Sequence, residues 1–299
     1  MSKNSRKFLL VTLTVFFCVL GYSQVSLADD NHALPMMRMG VGARALAMGG
    51  AYTAVASDAT AGYWNPAALA QLEGLSVSTM VAANMSFDRK YNYLSVGHKF
   101  KFGALGFSWM NAGTSDIPYG AVEGKDGTFD NNNHVFLFSY GNQMEKFFVG
   151  FNFKVIYDKT DDYSNTGIGF DVAGKYALTD YAHLGIFAGD LGSKYGRNEI
   201  PAVFRVGVAV FPMEGFVMPV EIEKLQDRSQ IKFRIGGEYS YMFADDYHAA
   251  LRAGVNDGSF TIGAGLIVMG QYTIDYAYVT EAESFLGENH RISVGVNLK

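Results

Sequence analysis

The side chains best suited to proton transfer or metal binding are six histidines, His32, His98, His134, His183, His248 and His290. They are scattered singly, without the spacing of metal ligands. Ser164, Ser193 and Ser284 fall where loops are expected, but none occupies the glycine-flanked elbow that exposes a nucleophile. Asp161-Asp162, Asp245-Asp246 and the stretch from Asp126 to Asn132 offer oxygen atoms to calcium, and read more simply as solvated acidic turns. The sole cysteine, Cys18, lies in an N-terminal apolar run, which leaves the rest of the chain without thiol or disulfide chemistry. These patterns point away from an enzyme and from any cofactor or metal centre.

What remains is charge, and its placement is regular. Between residues 231 and 241, Ile231, Phe233, Ile235, Tyr239 and Tyr241 share one strand face, while Lys232, Arg234, Glu238 and Ser240 share the other. The same alternation sets Phe147, Val149, Phe151, Phe153, Val155 and Tyr157 against Gly150, Asn152 and Lys154. A charged strand face cannot be buried in a soluble core without partners. A closed barrel, with lipid outside and a polar lumen inside, satisfies both faces. Its lumen wall would carry Lys154, Lys175, Arg205, Lys232, Arg234, Arg252 and Arg291 against Asp171, Glu221, Glu223, Glu238 and Asp275. A selective ion pore shows one dominant sign, so this mixture reads as cross-strand ion pairs and as contacts to something that fills the barrel.

The elements that must position these charges are strands of about 10 residues. Charged residues are 18% of the 299, below the roughly 25% of soluble proteins, and only 6 prolines occur. Period-2 alternation predicts fourteen strands, near 75–85, 90–99, 102–112, 133–142, 146–157, 166–178, 182–190, 202–212, 216–225, 230–243, 247–256, 258–267, 270–280 and 289–299. Longer polar connections follow the third, fifth, seventh and thirteenth, such as Asp116 to Asn132 and Asp190 to Ile200, and short turns lie at the other end. That sorting is expected of an outer-membrane barrel with both termini in the periplasm.

Lys3, Arg6 and Lys7, then the apolar run from Phe8 to Leu20 and Ser26-Leu27-Ala28, read as a cleaved signal peptide. The chain thus divides into a leader 1–28, a plug segment 29–74 and a barrel 75–299. Loss of the leader takes the net charge from −5 to −8, which excludes nucleic acid as a partner. No run of 18 apolar residues follows, so only strands could cross a membrane. Outer-membrane lipid and the barrel-assembly machinery are the partners such a chain needs.

Eight strands enclose only side chains, whereas sixteen or more leave a channel, so fourteen require a plug or leak. The segment before the first strand is rich in Gly and Ala, with Gly49-Gly50 placed to interrupt a short helix and Asn65-Pro66 placed as N-cap and first helical residue. Arg44, Met48, Tyr52, Asp58, Tyr63, Trp64, Asn65 and Pro66 are its candidate plug or ligand-contacting residues, with Met36, Met37 and Met39 as further lining. A charge in a lumen needs a partner, so Arg44 is expected to meet an acidic wall residue such as Glu221, Glu223 or Asp275.

The stretch Gly40-Val41-Gly42-Ala43-Arg44 through Ala51 and Asp58 to Tyr63-Trp64-Asn65-Pro66-Ala67-Ala68-Leu69 resembles the N-terminal hatch of the FadL-like outer-membrane proteins. It looks most similar to their PorV/PorQ branch. The resemblance implies a fourteen-stranded barrel with an N-terminal hatch. It also implies one of two roles: passage of hydrophobic small molecules, such as fatty acids or aromatic hydrocarbons, or service to type IX secretion by carrying or anchoring exported proteins. Two features depart from the pattern, since the outer loops read as short and the chain ends in Leu298-Lys299 rather than an aromatic residue.

Overall fold

The computed structural model describes residues 34–83, 89–120, 126–196, 198–280 and 289–299. The expected leader, its cleavage point and Ser284 lie outside them. The strands are β1 (Leu75–Ala83), β2 (Arg89–Phe100), β3 (Gly103–Pro118), β4 (Thr128–Met144), β5 (Phe147–Thr160), β6 (Tyr163–Thr179) and β7 (Ala182–Tyr195). There follow β8 (Asn198–Glu199), β9 (Val203–Met213), β10 (Phe216–Leu225), β11 (Ile231–Ala244), β12 (Tyr247–Asn256), β13 (Ser259–Val268), β14 (Tyr272–Val279) and β15 (Asn289–Leu298). The two-residue β8 pairs with β7 alone. The other fourteen form a closed antiparallel barrel, each pairing with its sequence neighbours and β1 with β15. Closure leaves the wall no free edge.

Alternation puts the large apolar side chains outside. Phe147, Val149, Phe151, Phe204, Val206, Ile292 and Val294 are exposed, while Asn152, Lys154, Arg205, Arg291 and Ser293 on the intervening positions are buried. A continuous apolar exterior of this kind is incompatible with water and fits acyl chains. Ile235 keeps the outward register, between the inward-facing Arg234 and Gly236, but its side chain is covered. It is 2% exposed, flanked by its register partners Val220 and Val255.

The wall is taller than the alternation predicts. β3 and β4 continue pairing to Pro118 and Thr128, so both ends of the expected 116–132 loop are strand, and Asn131 to Asn133 face β3 and β5 in register. The loop expected after the fifth strand is a turn at 161–162, with Asp161 at φ 56. β7 likewise runs through Asp190 to Tyr195, carrying Ser193, which is buried rather than in a loop. Polar residues hid these extensions because they rise above the apolar belt, where alternation no longer follows a lipid boundary.

One place in the wall is irregular in a different way. In the β10–β11 ladder Val217 pairs with Glu238 and Val220 with Ile235, but Met218 and Pro219 form no pair with Gly237 and Gly236 between them. Pro219 has no N–H to give, and proline inside a sheet marks such a break.

Candidate functional site

Residues 34–72 lie against the inner face of the wall as a series of short turns: Pro35–Arg38, Ala43–Ala47, Ala61–Trp64 and Pro66–Gln71. The Ala43–Ala47 helix stops at Met48 because Gly49 and Gly50 take φ of 68 and 71. Asn65 caps the last turn, accepting from the Ala67 N–H at 3.2 Å while its Nδ2 donates to the Thr53 and Gly174 carbonyls. Pro66 follows at the first position of a 3-10 helix. The segment brings mostly backbone to the wall, so its hydrogen-bond groups find wall side chains: Ala43 N–H donates to Ser293, Gly49 N–H to Thr261 and Thr53 N–H to Glu221.

Toward the turn end of the barrel, Arg44 meets Glu238 through both arms, Nε to Oε2 at 2.8 Å and Nη2 to Oε1 at 2.7 Å. Glu238 was among the expected lumen residues, but Glu221, Glu223 or Asp275 was the expected partner of Arg44. The wall accounts for the difference, because Glu221 and Glu223 are taken by Arg234 at 3.1 and 2.9 Å, and Asp275 by Arg252 at 2.8 Å. Arg252 also reaches Glu238 at 2.5 Å, which makes one chain of charges from segment to wall. Arg44 Nη1 donates to Tyr52, and Tyr52 to Asp58. Burial raises the Tyr52 phenol well above its ordinary value, so it stays a donor.

Nearer the loop end, Lys154 bridges Asp171 at 2.7 Å and Asp190 at 2.6 Å, and Asn152 ties Asp171 to the Gly62 carbonyl. Trp64 donates to the Val41 carbonyl and Tyr63 to that of Met37, with both rings beside the Arg205 guanidinium. Arg291 sits 5.1 Å over the Tyr91 ring, and Lys175 Nζ holds the Ala56 carbonyl and Gln71. Lys232, across the ladder from Glu223, is only half-buried. Met48 is buried against the wall, its backbone at Gly236 and Gly254. Sequence reading passed over Arg38, Asp190, Thr261 and Ser293; for Asp190 the missing signal was the extension of β7 beyond its apolar part.

Two spaces at the ends of this filling and one outside the wall bear on passage. At the loop end a vestibule of about 420 Å³ has Leu34, Met36 and Met39 at its base and Asn131, Asn133, Asp158 and Thr160 on the wall. At the turn end a polar space of about 360 Å³ is lined by Arg44, Asp58, Ser76, Ser240, Thr273 and Asn297. The third lies on the outer surface: a hollow of about 670 Å³ framed by Phe216, Met218, Tyr239, Leu251, Ile262 and Tyr276, with Gly237, Ala253 and Ala264 among its lining. It sits over the Pro219 break, and Met48 lies behind the same stretch of wall.

No family model matches the sequence, and no curated protein does. Solved structures do match in fold. The Pseudomonas putida toluene transporter TodX superposes with a TM-score of 0.63 at 15% identity, covering 86% of this chain and 97% of its own. The Ralstonia pickettii toluene transporter TbuX gives 0.62 at 13%, with 87% and 99% covered. The CymD monoaromatic hydrocarbon channel gives 0.60 at 12%, with 86% and 96% covered. These neighbours are named as transporters or a channel, and at such identities the likeness is one of fold.

Proposed function

We propose that this barrel sits in an outer membrane and lets hydrophobic small molecules pass from the loop-end vestibule to the lipid-facing hollow. The observation that carries the reading is the hollow itself. A gap in the β10–β11 ladder, an apolar recess outside it and the Met48 turn inside it coincide at one height of the wall. Parting two strands elsewhere in the barrel breaks a continuous ladder, whereas Met218 and Pro219 form no ladder pair with β11. The vestibule supports the same reading, since its Leu34, Met36 and Met39 offer soft apolar contact at the entrance. The fold neighbours include barrels named for toluene and monoaromatic hydrocarbons, so aromatic hydrocarbons are the substrate class to test first.

Cells expressing the protein should take up radiolabelled toluene several-fold faster than cells carrying an empty vector. Ala253→Trp and Ala264→Trp, both on the lipid face, fill the hollow without touching the inner segment, and uptake should fall toward the vector level. Oleate run in parallel separates fatty acids from hydrocarbons. Equal uptake with and without the wild-type protein, for both probes, overturns the proposal. The secretion role rests on the motif resemblance alone, and it predicts uptake indifferent to every one of these variants.

A further inference from the structure

Arg38 and Arg205 line a closed space between the inner segment and the wall that the proposed passage does not use. Arg205 is 6% exposed, and its Nη1 has no hydrogen-bond partner. Its Nε faces Glu223 at 3.3 Å without forming a hydrogen bond. Aromatic rings enclose the guanidinium, with Phe187 at 4.2 Å, Trp64 at 5.5 Å and Tyr63 at 5.6 Å. Arg38 gives Nη2 to the Pro201 carbonyl, which leaves its solvent-shielded Nε and Nη1 unpartnered. Of the carboxylates on this space, Asp171 and Asp190 pair with Lys154, and one Glu223 oxygen is shared between Arg234 at 2.9 Å and Arg205 at 3.3 Å. Two guanidinium groups with unspent donors therefore line one space, and shielded donors left unpaired are unfavourable.

We propose that Arg38 and Arg205 hold a small monovalent anion of chloride size. The volume selects the class. About 20 Å³ admits one solvent-sized occupant, so a single-atom anion fits and a carboxylate bearing an alkyl chain does not. A water would satisfy donors but add no negative charge beside the two guanidinium groups. The anion would pin the Pro35–Arg38 turn to the start of β9, and this holds whether or not the barrel conducts hydrocarbons.

Trp64 is the reporter, since it is 2% exposed and beside Arg205, and Trp109 is the only other tryptophan of the chain. In the full-length Trp109→Phe protein in detergent, bromide replacing gluconate at constant ionic strength should quench Trp64 emission with saturation. Chloride should compete and shift the half-saturation upward. Arg205→Gln should abolish the saturable part, and Arg38→Gln, at the half-buried rim, should raise the half-saturation at least tenfold while leaving the far-ultraviolet strand signal unchanged. Quenching that rises linearly with bromide and is equal in the parent and in Arg38→Gln means water only, and overturns the proposal.

Discussion

Glu238→Gln should lower the unfolding free energy of the barrel by about 3 kcal/mol or more, measured by urea titration in lipid vesicles. Glu238 is buried and is the carboxylate that both Arg44 and Arg252 reach. The amide keeps the shape but strips Arg44 of its carboxylate and leaves Arg252 with Asp275 alone. Arg44 has 28% of its side chain exposed, so hydration recovers part of its loss and the estimate is taken from the lower end of the range for buried pairs. Asp275→Asn should cost less, because Arg252 retains Glu238. Arg44→Ala removes the tie to the segment while Glu238 keeps Arg252, so it should cost less than Glu238→Gln while single-channel conductance in planar bilayers rises. A Glu238→Gln midpoint equal to wild type would show that this charge chain does not hold the inner segment.

Gly150→Ala should reverse the usual sign of a glycine-to-alanine change. In a compatible conformation the substitution stabilises by about 0.4–1 kcal/mol, because the unfolded chain loses freedom. At Gly150 the added methyl would lie 2.2 Å from the Ala67 nitrogen and 2.5 Å from the Pro66 carbonyl carbon. Both are backbone atoms, so no side-chain rotation relieves the clash, and overpacking of this sort costs about 1–3 kcal/mol. The Pro66–Gln71 turn must leave its seat or β5 must bend. Raised conductance and faster trypsin cleavage between residues 34 and 74, with the barrel still folded, are the expected readouts. Gly237→Ala is the control, since its nearest neighbour is 4.0 Å away and the change should be neutral or stabilising. If Gly150→Ala behaves like Gly237→Ala, the inner segment is not seated on β5 as described.

Much of the wall was legible because a barrel imposes a simple rule on sequence. Lipid on one side and a polar lumen on the other force period-2 alternation, and residues such as Phe151, Lys154, Phe204 and Arg205 declare their faces one by one. The rule lapses above the apolar belt. There Asn131 to Asn133 are paired strand but polar on both faces, and Asp190 to Tyr195 continues β7 with shifted register, so both read as loop.

The amino-acid order by itself determined the strand count, the closed antiparallel barrel and the signs of charge its lumen must balance, since each follows from local alternation. Which charge meets which was decided only by the tertiary structure. Arg44 takes Glu238 because closure and register had already given Glu221 and Glu223 to Arg234 and Asp275 to Arg252. The coincidence of Pro219, Gly236–Gly237 and Met48 at one height of the wall is likewise a product of register. Long-range pairing depends on how strands stagger around a closed circuit, and no window of neighbouring residues carries that information.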